Sequence, residues 1–156
     1  MERGFSGDTV SQRIENRLEW IHRVGGDSIG GAFRLALRHH DDQTHTYTFL
    51  ARTENWMRNV IGTLHGGSCA ALADQAMGCV ANCLFEDETH APTSQLQLNF
   101  HRPLFAGSDL VVTVRVVNIS RSMLHLTAEI YDARNADKLC VSSSAIFFRG
   151  NKNQEV

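Results

Sequence analysis

Residues 62–80 read GTLHGGSCAALADQAMGCV. Two glycines lead into an apolar run of Ala, Leu, Cys, Met and Val, and the only charge in that run is Asp74. The pattern predicts a helix over about 66–84, apolar on nearly every side, as a helix enclosed by other elements must be. No Lys or Arg lies within a helical turn of Asp74, so no local ion pair offsets its burial. Burying an unpaired carboxylate costs several kcal/mol, so Asp74 needs a partner from elsewhere, a wet cavity or a chemical task. Gly67, Ala70, Ala71 and Gly78 fall on its side of the helix at 100° per residue and leave room beside the carboxylate. Either Asp74 accepts hydrogen bonds that only fix the helix, or it serves as a base or nucleophile in a pocket. The first turn after His65 presents the Gly66 and Gly67 N–H groups and the positive end of the helix dipole. Such a turn can hold the oxyanion formed when a carbonyl is attacked. Together these features suggest acyl transfer or hydrolysis.

Residues 9–24 place Val10, Ile14, Leu18, Ile21 and Trp20 at helical spacing and end at Gly25-Gly26, which predicts an amphipathic helix. Residues 31–39 alternate Phe33, Leu35 and Leu37 against Arg34, Ala36 and Arg38, a strand pattern. DDQT is a turn and a second strand starts at His45. After the long helix come the polar run Glu86-Asp87-Glu88 and four strand-like segments, beginning near Thr93, Asp109, Met123 and Lys138. Pro103 stops the first of them. Their spacing suggests an antiparallel meander. The expectation is an α+β fold, with five or six antiparallel strands wrapped around the helix of 66–84.

The 156 residues fit one domain, with 42% hydrophobic and 21% charged residues. We divide it into an N-terminal helical extension (1–27), a main domain (28–150) and a flexible tail (151–156). The net charge of −2 argues against general nucleic-acid binding, which favours a basic face. No stretch reaches the length of a membrane helix, and the first residues carry no apolar secretory signal. Cys69, Cys79, Cys83 and Cys140 show no CxxC spacing, so we read them as core thiols in a reducing cytoplasm. His39, His40, His45, His101 and His125 have no ligand spacing. No metal or cofactor is expected.

The segment N-V-I-G-T-L-H-G-G-x6-D, Asn59 to Asp74, resembles the signature of hotdog-fold acyl-CoA thioesterases of the PaaI-like, phenylacetic acid degradation-type group. The likeness continues through Thr93–Phe100, PLFAGSD at 103–109 and the closing strands. The resemblance implies a hotdog fold, a strongly curved antiparallel sheet around one long helix. It also implies a homodimer, commonly doubled into a homotetramer. It implies that Asn59 and Gly66 polarise the thioester carbonyl, that Asp74 is general base or nucleophile, that Thr93 orients water, and that His65 shapes the carbonyl site.

For the acyl-CoA substrate we also mark Gly67, Ser94, Arg121 and Ser122, with Arg102 and Arg149 behind them. A small to medium or aromatic acyl group is expected. The rival readings are a hotdog protein that binds acyl-CoA without hydrolysing it, and an enoyl-CoA hydratase or dehydratase built on a His paired with a carboxylate. The N-terminal helix is expected to cover the acyl tunnel or to add an oligomer contact.

Overall fold

The computed structural model describes residues 7–85 and 90–150. The acidic run Glu86–Glu88 and the tail 151–156 lie outside the described residues.

Helix α1 spans Val10–Val24. Thr9 caps it: its hydroxyl accepts the Gln12 N–H at 3.3 Å, and Gln12 Oε1 accepts the Thr9 N–H at 2.8 Å, which satisfies two orphan donors at once. Ile14, Leu18 and Ile21 are buried, and α1 packs on the long helix and on the first strand. Trp20 does not join this face; it is 46% exposed. Asp42 ties the helix start to the sheet: Ser11 Oγ donates to its Oδ2 at 2.8 Å and Tyr47 OH to its Oδ1 at 3.0 Å.

The strand expected over 31–39 is divided. Ile29–Ala32 form a short helix, α2, capped by Ser28, and strand β1 starts only at Ala36 and ends at Asp41. Phe33 and Leu35 are both buried, which produced the alternating pattern. Between them Arg34 has φ +45°, a left-handed conformation that breaks an extended run. Gly31 lies against the α1 C-terminus; a Cβ there would sit 2.0 Å from the Gly25 carbonyl oxygen.

The remaining elements are β2 (Thr46–Arg52), a single 3-10 turn (Asn55–Met57), α3 (Gly66–Leu84), β3 (Thr93–Phe100), β4 (Asp109–Ile119), β5 (Met123–Asp132) and β6 (Leu139–Phe148). All strand pairs are antiparallel, in the order β1-β2-β4-β5-β6-β3. β4, β5 and β6 form the expected meander. β3 does not pair with β4; it lies beyond β6, at the far edge. The Pro-containing connection 101–108 is too long for a tight hairpin and carries the chain across the sheet end.

α3 touches β2, β3, β4, β5 and β6, so the sheet curves around it. Leu72, Ala73, Ala76, Met77, Val80 and Ala81 are fully buried in the core with Phe49, Leu126 and Phe147. The enclosure is incomplete: Gly66, Ala70, Ala71, Asp74, Gln75, Gly78 and Asn82 are half-buried and Gly67 is exposed. One side of the helix, with the small residues and the carboxylate, is thus only partly covered by the rest of the chain.

Candidate active site

One group of candidate residues gathers at the start of α3. Asn59 opens a tight loop closed by its own side chain. Its Oδ1 accepts the N–H groups of Ile61 and Thr63, each at 3.1 Å, and its Nδ2 donates to Thr63 Oγ1 at 2.7 Å. Gly62 completes the turn at φ +92°, a region open to glycine. The loop lifts Val60 and Ile61 into solvent, where both are more than 80% exposed. Asn59 therefore positions this loop, and its second Nδ2 hydrogen has no acceptor among the described residues.

The His65 N–H donates to the Met57 carbonyl at 2.9 Å. Its ring caps the helix: Nδ1 accepts the Gly67 N–H at 2.9 Å, which requires Nδ1 unprotonated. The Gly67 donor is thus occupied. The Gly66 N–H, at the first helical position, has no acceptor among the described residues. Asn59 and Gly66 border a cavity of about 410 Å³ with Thr63, Cys69, Phe100 and the segment His101–Leu104.

The second group is elsewhere. Asp74 lies two turns further along α3, and Thr93, the first residue of β3, donates its hydroxyl to Asp74 Oδ1 at 2.7 Å. Asp74 Oδ2 has no partner among the described residues. So Asp74, half-buried, obtains a long-range partner, one of the outcomes its isolation in the sequence left open, but only one oxygen is engaged. Asp74 and Thr93 do not line the Gly66 cavity. Gly66 and Asp74 are eight positions apart in the helix, about 12 Å along the axis.

The substrate-binding candidates divide the same way. Ser94 is exposed where the β3–β6 register shifts. Arg121 and Ser122 form the exposed tip of the β4–β5 hairpin, closed by Ser120 N–H to Met123 O at 2.9 Å. Leu124 and Thr93 both register with Phe147, so this hairpin belongs to the Thr93 end. Ser122 O accepts the Arg149 N–H at 2.9 Å, and the Arg149 guanidinium stacks 5.3 Å from the Phe85 ring centroid.

A family model described as the thioesterase superfamily matches residues 61–138, half of the chain. The chain belongs to the thioesterase superfamily. The match contains Gly66, Asp74, Thr93 and Arg121 and starts just after Asn59. Among solved structures, a phenylacetic acid degradation-related protein from Ralstonia eutropha is similar, with TM-score 0.75, 20% identity, 87% of this chain and 98% of that one covered. The PaaI protein from the phenylacetic acid degradation operon of E. coli aligns with TM-score 0.68 and 19% identity, covering 88% of this chain and 96% of that one. A thioesterase protein from Streptococcus pneumoniae, solved with coenzyme A, gives TM-score 0.68 and 18% identity over 86% and 99%. At these identities the likeness is one of fold, and it establishes the hotdog architecture of this thioesterase. Comparison with curated protein sequences finds no match.

Reading the sequence alone missed Phe100, Leu104 and Val141 as walls of the Gly66 cavity. Phe100 falls in an alternating strand, and nothing in that alternation says that its ring meets Gly66, whose Cβ position lies 3.4 Å from Phe100 Cζ. No helix of the described residues is long and apolar enough to cross a membrane.

Proposed function

We propose that this thioesterase hydrolyses a small to medium or aromatic acyl-CoA, with the site shared between two copies of the chain. The observation that carries this reading is the separation of the two groups. Reacting atoms must approach within roughly 3–3.5 Å, and a carbonyl at Gly66 is too far from Asp74 of the same helix. A two-fold dimer supplies the missing half, setting Gly66 of one subunit against Asp74 of the partner subunit, twice. The partly covered side of α3 and the open edge of β3 give such a dimer a surface.

In that site the carbonyl oxygen accepts the Gly66 N–H and the remaining Asn59 Nδ2 hydrogen. Thr93 holds Asp74 Oδ1, so the unpaired Oδ2 faces the substrate. Oδ2 takes a proton from water as the water oxygen attacks, or attacks the carbonyl carbon itself. The tetrahedral oxyanion gains from the Gly66 donor and the helix dipole. Breaking the C–S bond then releases the thiolate, which takes up a proton; with water as the nucleophile this leaves the free acid, and with Oδ2 as the nucleophile it leaves an acyl anhydride on Asp74 that a water cleaves to the free acid and the restored carboxylate.

The coenzyme A in the pneumococcal structure supports the choice of thiol, and the phenylacetic acid degradation origin of two neighbours supports an aromatic acyl group. The hydratase reading is disfavoured because the His65 ring caps α3 and bonds no carboxylate among the described residues. A panel of acyl-CoAs differing in length and aromaticity, read by thiol release, tests the reading. Release from none of them, with coenzyme A still bound, would favour the non-hydrolysing binder.

A further inference from the structure

A second depression, of about 520 Å³, adjoins the Gly66 cavity and shares Arg102 and Pro103 with it. It lies between the β3–β4 connection and the β5–β6 turn, and Arg134 and Lys138 face it with Asp132. Three cations and one carboxylate line this groove, in a chain whose net charge is −2. In sequence, Arg134 falls in a turn and Lys138 opens the last strand-like segment.

Two of the three cations are fixed in place. Arg102 Nη1 donates to the Leu139 carbonyl at 2.7 Å, and its backbone N–H to the Cys140 carbonyl at 3.1 Å. Arg134 grips Asp132 with two bonds, Nε to Oδ1 at 3.0 Å and Nη2 to Oδ2 at 2.7 Å. That hydrogen-bonded guanidinium holds the Asp132 carboxyl below its ordinary range. Among the described residues, Arg134 Nη1 is left without an acceptor and Lys138 makes no ion pair. Guanidinium groups positioned before binding, with donors to spare, suit phosphate oxygens.

We propose that the groove of Arg102, Arg134 and Lys138 seats the nucleotide phosphates of the coenzyme A whose thioester is held at Gly66. This rests on the thioesterase reading above and moves the phosphate seat away from the Arg121–Ser122 hairpin. Arg102 lines both spaces, so the pantetheine arm passes it on leaving the reaction centre. A phosphopantetheine arm on a carrier protein presents the same first phosphate but lacks the adenosine 3′,5′-bisphosphate.

The test uses the full chain. Adenosine 3′,5′-bisphosphate is titrated calorimetrically into wild type, Lys138→Gln, Arg134→Gln with Lys138→Gln, and Arg121→Gln. In parallel, kcat/KM is measured for one acyl group on coenzyme A and on N-acetylcysteamine, which has no phosphate. The expected result is bisphosphate binding to wild type, weakened about fivefold by Lys138→Gln and more than tenfold by the double change, and less than twofold by Arg121→Gln. The ratio of the two kcat/KM values should fall by the same factors. Lys138→Gln breaks no ion pair, so it remains informative if the loss of Arg134 unsettles the hairpin. Binding and ratio within twofold of wild type in the double variant, the whole effect falling on Arg121→Gln, or no bisphosphate binding to wild type would each overturn the proposal. If neither thioester is hydrolysed, the thioesterase reading fails, and the bisphosphate titration still decides the groove.

Discussion

Thr93 Oγ1 donates to Asp74 Oδ1 at 2.7 Å, joining the start of β3 to the middle of α3. The bond fixes which carboxylate oxygen is free. Asp74→Asn keeps the shape and removes proton acceptance, so turnover should fall on the order of 10²-fold or more. Thr93→Val removes a hydrogen bond to a charged group, worth about 1.5–3 kcal/mol, and should cost at least roughly tenfold. Thr93→Ser, which keeps the hydroxyl, should recover most of it. Steady-state kinetics on folded variants decide. If Thr93→Val and Thr93→Ser are equally active, the hydroxyl does not orient Asp74.

Gly66 offers a backbone donor that side-chain replacement cannot usually reach. Its position at the first residue of α3 is the one where proline is tolerated in a helix. His65 before it is extended, at ψ 138°, as a residue preceding proline prefers. Gly66→Pro should therefore fold and lose the oxyanion donor, reducing kcat by about 10²–10³-fold. Gly66→Ala keeps the N–H, with its Cβ 3.4 Å from Phe100 Cζ, and should stay within about tenfold of wild type. Equal activity of the two variants would remove Gly66 from the mechanism.

Much of this was legible in the sequence, and the reasons differ by segment. The ends of α3 were readable because the Gly pair and the apolar run leave one interpretation for 66–84. β4 and β5 were readable because long alternating runs are bounded by turns. The 31–39 segment was misread because Phe33 and Leu35 are both buried, yet the left-handed Arg34 between them leaves no mark on hydropathy. The edge position of β3 was hidden because strand order depends on pairings distant in sequence. That Asp74 needs a partner, a wet cavity or a task was legible; the loop-holding bonds of Asn59 and the capping ring of His65 leave no mark in the sequence.

The N-terminal helix belongs to the core as well as to any lid. Ile14 is fully buried, and Ile14→Ala should cost about 2–5 kcal/mol, read from denaturant unfolding. An Ile14→Ala protein as stable as wild type would show that α1 is a detachable cover.

Asp42 makes the seating of that helix pH-dependent. Burial pushes its carboxyl up, but the Ser11 and Tyr47 hydroxyls outweigh it and hold the group below its ordinary value. A carboxyl held low in the folded state stabilises fully above the unfolded value of about 3.9. That contribution fades as pH falls through the folded value. Between about pH 5 and pH 3, the Tm of wild type should drop further than that of Asp42→Asn. Parallel Tm curves would mean that Asp42 holds α1 without a charge effect.

The most direct measurement mixes two inactive chains. Gly66→Pro and Asp74→Ala subunits, carrying different affinity tags, are co-expressed and the doubly tagged dimers isolated. In such a dimer one site carries both defects and the other carries none. Purified heterodimers should show about half of wild-type activity, and an unsorted, randomly paired mixture about a quarter. Heterodimers as inactive as either parent would show that each site is built within one chain, and would contradict the shared site.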